Sequence, residues 1–205
     1  MSVAGRLAAL GTATIGEAVP SARIVRLPLR PLAPGMAAAG TALTVRCRPG
    51  DNLALHRAIA AAAPGDMLAV DYGGSTESGP FGEIMALACR LRSIAGLVID
   101  GSVRDGARLI EMGFPVFARG LDIRGTTKQD RGEVGGPITL GGVRIERGDL
   151  VVADADAVIV LPAGDAEAAL SAGEARAAAE ARMMERLRAG ETTLQVLGLR
   201  EGEGQ

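Results

Sequence analysis

Lysine is almost missing from this chain: of its 22 basic side chains only Lys128 is one. It lies in the polar stretch Gly-Thr-Thr-Lys-Gln-Asp-Arg-Gly. A Schiff-base lysine needs desolvation to lose its proton, so this setting argues against imine chemistry. Histidine is as scarce. The single His56 falls in a helical pattern with Leu53, Ile59 and Ala60 and reads as a surface or packing residue. Without a second histidine, a His-based zinc site is excluded. Tryptophan is absent and aromatics are 2% of the chain, so platforms for stacking nucleobases are lacking. No basic stripe offsets this, because 22 Lys+Arg against 24 Asp+Glu give a net charge of −2. Direct nucleic-acid binding is disfavoured on both counts. The two cysteines, Cys47 and Cys89, form no CxxC pair and suit reduced thiols better than a disulfide framework. No apolar run approaches the roughly 18 residues that span a bilayer, and no basic start leads into an apolar stretch. The expectation is a cytoplasmic protein that does not enter membranes.

What is present suits one substantial core. Apolar residues are 48% of 205, which with so few aromatics means Val, Ile, Leu, Ala and Met packing. Residues 6 to 18 read as a short helix, followed by an extended segment with Pro20, Pro28, Pro31 and Pro34. Thr41 to Cys47 alternate as a strand, Pro49-Gly50-Asp51-Asn52 make a turn and cap, and residues 52 to 62 are helical by pattern. Met67 to Tyr72 reads as a buried strand. Pro80 is expected to open a helix in which Ile84, Leu87, Ala88 and Leu91 share one face. A strand at 97 to 99, a helix of about ten residues from Val103 and a strand from Phe114 to Ala118 follow. This alternation is the grammar of a parallel sheet with right-handed crossovers. Residues 120 to 136 are polar and Gly-rich and read as a mobile loop. Residues 138 to 161 hold short β runs, 165 to 188 a long Ala-rich helix weakened at Gly173, and 200 to 205 a disordered end. The fold class is α/β, with residues 1 to 205 as a single domain.

The most informative stretch is Leu-Val-Ile-Asp-Gly-Ser-Val-Arg-Asp-Gly at 97 to 106. A buried strand stops at Asp100-Gly101, and Arg104 and Asp105 follow side by side. A guanidinium can grip a carboxylate or enolate, and a carboxylate can hold a hard divalent cation. A structural ion pair is the equal alternative for this dipeptide. Ligands of open α/β sheets settle beyond the carboxyl ends of strands. If the strands ending at Asp71 and Asp100 are neighbours, their loops share a crevice. The amides of Gly82, Glu83, Ile84 and Met85 at the following helix start would then face it, ready for an anion. Gly82 also reads simply as a loop residue beside a helix. Neither a Walker sequence nor GxGxxG is present.

Asp71-Tyr72-Gly73-Gly74, Gly82-Glu83 and residues 96 to 105 together resemble the 4-hydroxy-4-methyl-2-oxoglutarate aldolase family, which also contains the regulator of ribonuclease E activity A. Pro34-Gly35-Met36, residues 40 to 46, Gly141-Gly142-Val143, residues 148 to 154 and Val158 to Pro162 extend the resemblance over roughly residues 8 to 195. It implies a swivelling β/β/α-type fold, a homotrimer or hexamer, and a divalent metal, Mg2+ or Mn2+. The implied activity is release of pyruvate from a small 2-oxo acid, by retro-aldol cleavage of 4-hydroxy-2-oxo acids or by oxaloacetate decarboxylation. By motif position, the backbone of Gly82, Glu83, Ile84 and Met85 and the side chain of Arg104 would bind substrate, and Asp105 would hold the metal. Glu83 takes the family's acidic position beside the metal. Glu180, with Glu185 as its rival, would reach a neighbouring subunit's site from the C-terminal helix. The other implied reading is a non-catalytic regulator that binds a ribonuclease.

Overall fold

The computed structural model describes residues 2 to 199; the expected disordered end at 200 to 205 lies outside the described residues. In chain order the helices are α1 (Val3–Leu10), α2 (Thr12–Ala18), α3 (Leu53–Ala61), α4 (Glu83–Leu91), α5 (Gly106–Met112), α6 (Ala166–Arg188) and α7 (Thr193–Leu197). The strands are β1 (Arg23–Ile24), β2 (Arg30–Pro31), β3 (Ala38–Arg46), β4 (Asp66–Asp71), β5 (Gly96–Ile99), β6 (Ser102–Val103), β7 (Val116–Ala118), β8 (Gly120–Leu121), β9 (Glu133–Val134), β10 (Ile138–Leu140), β11 (Val143–Ile145), β12 (Leu150–Ala153) and β13 (Val158–Leu161).

One sheet runs β1-β13-β12-β3-β4-β5-β7-β2, with β9 also pairing β3. Its centre, β3-β4-β5-β7, is parallel as the helical crossovers require. The flanks are antiparallel, so the sheet is mixed. Strand alternation divides the core. Leu43, Val45, Leu68, Val70, Leu97 and Ile99 face α3, α4 and α5, and β12 and β13 offer the same side to α1, α2 and α6. Ala42, Met67, Ala69, Val98 and Val151 point the other way, onto the β10–β11 hairpin. The layers are hairpin, sheet, helices, a β/β/α arrangement. Central strands covered on both faces read as near-continuous apolar runs, which is why β4 is buried at five of its six positions.

Several local expectations change. The helix expected over 6 to 18 is two helices, because Gly11 adopts φ 82° and breaks it. Asp154 then takes the Thr12 amide and hydroxyl, both at 2.6 Å. Pro80 does not open α4; the chain stays extended through Gly82 and turns helical at Glu83. The helix after Arg104 is shorter than expected, because Ser102 and Val103 pair with β8. Gly173 does not interrupt α6. A Cβ there would come within 2.8 Å of Leu10, so the glycine is what lets α1 lie against the helix. Segment 120 to 136 is anchored rather than loose. Buried Asp51 accepts hydrogen bonds from the Thr127 hydroxyl (2.5 Å) and the Gln129 amide (2.7 Å), and Asn52 N–H donates to Thr127 O (3.1 Å).

The face of α4 that carries Ile84, Leu87 and Leu91 is turned away from the sheet. Met85, Ala86 and Cys89 are the buried residues, while Ile84 is 78%, Leu87 50% and Leu91 79% exposed. Both sets have helical spacing, and only the path of the preceding loop decides which one meets the sheet.

Candidate active site

Strands β4 and β5 are parallel neighbours, in register from Met67 opposite Gly96 to Val70 opposite Ile99. The loops that follow them therefore leave the same sheet edge. Gly74 N–H donates to Asp100 O (2.9 Å) and Ser102 N–H to Ser75 O (3.3 Å), which locks the two loops together. The Asp100 carboxylate is engaged by the Arg119 guanidinium. Its part in the motif is to hold this corner.

Arg104 N–H donates to Phe81 O (2.9 Å), which lays the Arg104-Asp105 segment against the start of α4. Asp105 has left-handed backbone, φ 58°. Its side chain makes no capping bond to its own helix α5. Instead Asp105 Oδ2 accepts from Glu83 N–H at 3.0 Å and lies 3.7 Å from Arg104 Nε. A carboxylate at a helix N-terminus and beside a guanidinium is favoured twice over. Gly82 makes the approach possible, since a Cβ there would lie 2.4 Å from Asp105 Oδ2 and 2.9 Å from Arg104 Cγ.

Two further amides remain open. The carbonyls of Pro80 and Phe81 accept from Asn52 Nδ2 (2.8 Å) and Arg104 N–H. The amides of Ile84 and Met85 have no protein partner among the described residues. Gly82, Glu83, Ile84, Met85, Arg104 and Asp105 are thus brought to one place. Arg104 and Asp105 are both about two-fifths exposed, so solvent and small solutes reach them.

Arg104 separates two hollows. The larger, about 580 Å³, is open and lined by Arg104, Asp105, Arg108, Leu121, Asp122 and Ile123. The smaller, about 190 Å³, is lined by Asn52, His56, Gly82, Met85, Arg104 and Lys128 among others. Sequence reasoning missed the contribution of Asn52, His56 and Lys128. The spacing of Asn52 and His56 on one turn of α3 was visible, but nothing local shows that residue 128 folds back beside them. Partial burial lowers the His56 pKa and the nearby Lys128 ammonium lowers it further.

Glu83 is exposed at the mouth of the site and forms no ion pair among the described residues. Glu180 is not brought there within one chain. It pairs with Arg176 at 2.9 Å on α6, which packs on α1, α2 and α7. Glu185 is exposed on the same helix. As for a metal, the described residues hold no group of three or more His, Cys, Asp or Glu suited to an ion. Asp105 Oδ1 has no protein partner among them, and Glu83 is adjacent. That set fits Mg2+, which keeps several waters and is commonly held by one or two carboxylates plus substrate. It does not fit a cation that demands a closed protein cage.

Residues 12–160 match the family described as RraA-like, Aldolase/RraA. The chain belongs to the RraA-like family. It is 36% identical over 153 residues, 75% of this chain and 73% of the other, to a Halalkalibacterium halodurans protein named "Putative 4-hydroxy-4-methyl-2-oxoglutarate aldolase". Among solved structures, an uncharacterized protein from Pseudomonas syringae pv. tomato superposes with a TM-score of 0.86 at 26% identity, covering 97% of this chain and 93% of that one. The RNA-processing inhibitor RraA from Thermus thermophilis gives a TM-score of 0.69 at 26% identity, covering 74% and 92%. The RraA-like family thus includes relatives named for catalysis and for inhibition. No helix among the described residues is long and apolar enough to cross a membrane.

Proposed function

We propose that this RraA-like protein is a divalent-metal-dependent lyase that cleaves 4-hydroxy-2-oxo acids to pyruvate, and that the same site decarboxylates oxaloacetate. The observation that carries the reading is the meeting of Arg104, Asp105 and the amide face of Gly82 to Met85, with Asp105 and Arg104 in contact across a glycine that leaves them room. The free amides of Ile84 and Met85 orient the substrate carboxylate. The Arg104 guanidinium meets the 2-oxo oxygen, where negative charge grows as the C3–C4 bond breaks, and so stabilises the transition state more than the substrate. A divalent cation at Asp105 would supply Lewis acidity at the same oxygens. Glu83 takes the proton of the 4-hydroxyl, the C4 carbonyl forms, and protonation at C3 yields pyruvate. In oxaloacetate the same electron pair is released by loss of CO2.

Homo-oligomerisation belongs to this reading. Ile84, Leu87 and Leu91 form an apolar stripe beside the site, and the half of α6 beyond Gly173 has no buried residue. Both suit contact with a second copy, which would bring Glu180 or Glu185 toward the site as an additional acid or base. A trimer or a hexamer is the arrangement proposed.

The test is pyruvate release, coupled to lactate dehydrogenase, from oxaloacetate and from 4-hydroxy-4-methyl-2-oxoglutarate, with Mg2+, with Mn2+ and after EDTA. Metal-stimulated release that Asp105→Ala no longer shows supports the reading. Absence of release from both acids, with capture of a ribonuclease, would favour the regulator instead.

A further inference from the structure

We propose that Tyr72 is a positioning residue for Arg104: its hydroxyl fixes the segment from Ser78 to Gly82 on which the arginine sits. This rests on the lyase reading and adds to it the group that sets its oxyanion donor. Tyr72 is the one tyrosine of the chain and lies in the stretch Asp71-Tyr72-Gly73-Gly74, which takes no part in the proposed chemistry.

Three features carry it. Tyr72 is fully buried, yet its hydroxyl is engaged on two sides. It accepts from Gly50 N–H at 2.7 Å and lies 2.9 Å from Ser78 Oγ, with which it shares a hydrogen bond. Burial pushes the phenol above its usual range, so it stays a neutral hydroxyl that accepts and donates at once. Packing alone does not ask for this oxygen, since phenylalanine fills the same space. Second, the segment that the hydroxyl holds touches the arginine. Ser78 is 6% exposed, and its carbonyl accepts from Ser102 Oγ at 2.7 Å. A Cβ on Gly79 would lie 2.6 Å from Arg104 Cβ and 3.1 Å from Arg104 N, so the backbone at 79 is packed directly on residue 104. Two residues on, Phe81 O accepts from Arg104 N–H at 2.9 Å. The segment is thus a shelf beneath Arg104. Third, one turn grips the shelf at two points. Gly50 holds Tyr72, and Asn52 Nδ2 donates to Pro80 O at 2.8 Å. Without the hydroxyl, Gly50 N–H loses its partner and the buried Ser78 Oγ is left without one among the described residues. The Ser78 end of the shelf then relaxes while the Pro80 end stays held, and Arg104 turns with it.

Tyr72→Phe deletes that one oxygen and tests this, with pyruvate release from 4-hydroxy-4-methyl-2-oxoglutarate at saturating Mg2+ read well below the melting temperature. The variant should melt a few degrees lower than the wild type. It should lose roughly tenfold in kcat, less than the order of 10²-fold that a misplacement of about 1 Å can cost, because the Pro80 grip remains. In an Arg104→Ala background, assayed with proportionately more protein, the same substitution should change kcat by less than about twofold, since a residue that acts through the arginine has nothing left to place. An equal factor in both backgrounds makes Tyr72 scaffold only and overturns the proposal, as does full kcat in the single variant. Ser78→Ala cuts the same bond from its other end, should reproduce both results, and replaces Tyr72→Phe if that variant does not fold. A crystal structure of either variant needs no substrate. In it Gly79 and Arg104 should move together relative to the Asp100–Arg119 pair, and unmoved positions overturn the proposal. Wild-type protein that releases no pyruvate from this acid or from oxaloacetate overturns the lyase reading instead, and the crystal structure still decides whether Tyr72 sets Arg104.

Discussion

Replacing Gly82 by alanine is the sharpest perturbation of the site, because it adds one carbon and no backbone strain. Gly82 has φ −154° and ψ −165°, an extended conformation that alanine adopts freely. The whole effect is therefore steric. The new Cβ would lie 2.4 Å from Asp105 Oδ2, 2.9 Å from Arg104 Cγ and 3.1 Å from Arg104 Nε. Ordinary contact begins near 3.4 Å, so the carboxylate must retreat by about 1 Å. That breaks its 3.0 Å bond to the Glu83 amide and displaces Arg104 with it. A misplacement of about 1 Å can cost on the order of 10²-fold in rate. The stability cost should be small, about 1 kcal/mol, at the low end of overpacking because Asp105 and Arg104 can swing toward solvent. Pyruvate release with saturating Mg2+, read beside a thermal melt, measures both. Full kcat in a normally folded Gly82→Ala protein would refute the claim that the Arg104–Asp105 geometry performs the chemistry.

Arg104→Lys and Arg104→Ala should each lower kcat by roughly 10²–10³, the scale of losing one donor to a developing oxyanion, and a coupled pyruvate assay checks it. Burial pushes the Asp51 carboxyl up, but the Thr127 hydroxyl and the amides of Gln129 and Leu53 outweigh it and hold its pKa well below the usual carboxylate range. The stability this contributes is present above the unfolded pKa of about 4 and falls away as pH drops below it. Acid unfolding followed by circular dichroism should be shallower in Asp51→Asn, which should also lose about 1–3 kcal/mol at neutral pH. Burial raises the thiols of Cys47 and Cys89 to about 12, so neither should react with iodoacetamide at pH 8 until the protein unfolds, as mass spectrometry would read.

The residues at 82 to 85 and 104 to 105 were legible in the sequence because two strand ends and a helix start are local features, and parallel neighbours bring such ends together. Asn52, His56 and Lys128 were not, since their meeting depends on Asp51 capturing a segment more than 70 residues away. The outward turn of Ile84, Leu87 and Leu91 was hidden for another reason. A helix with apolar residues all round leaves periodicity with two answers, and burial within one chain takes only one. Glu180 marks the limit of single-chain reading, because any approach to a site from α6 depends on a second copy.

The left-handed backbone of Asp105 has an evolutionary corollary. A non-glycine residue in that region gives up roughly 1–2 kcal/mol, and glycine or asparagine would recover part of it. Laboratory evolution that rewards heat resistance alone should drift toward those residues at position 105, whereas a lineage that keeps aspartate there reveals that its selection is for what the carboxylate does.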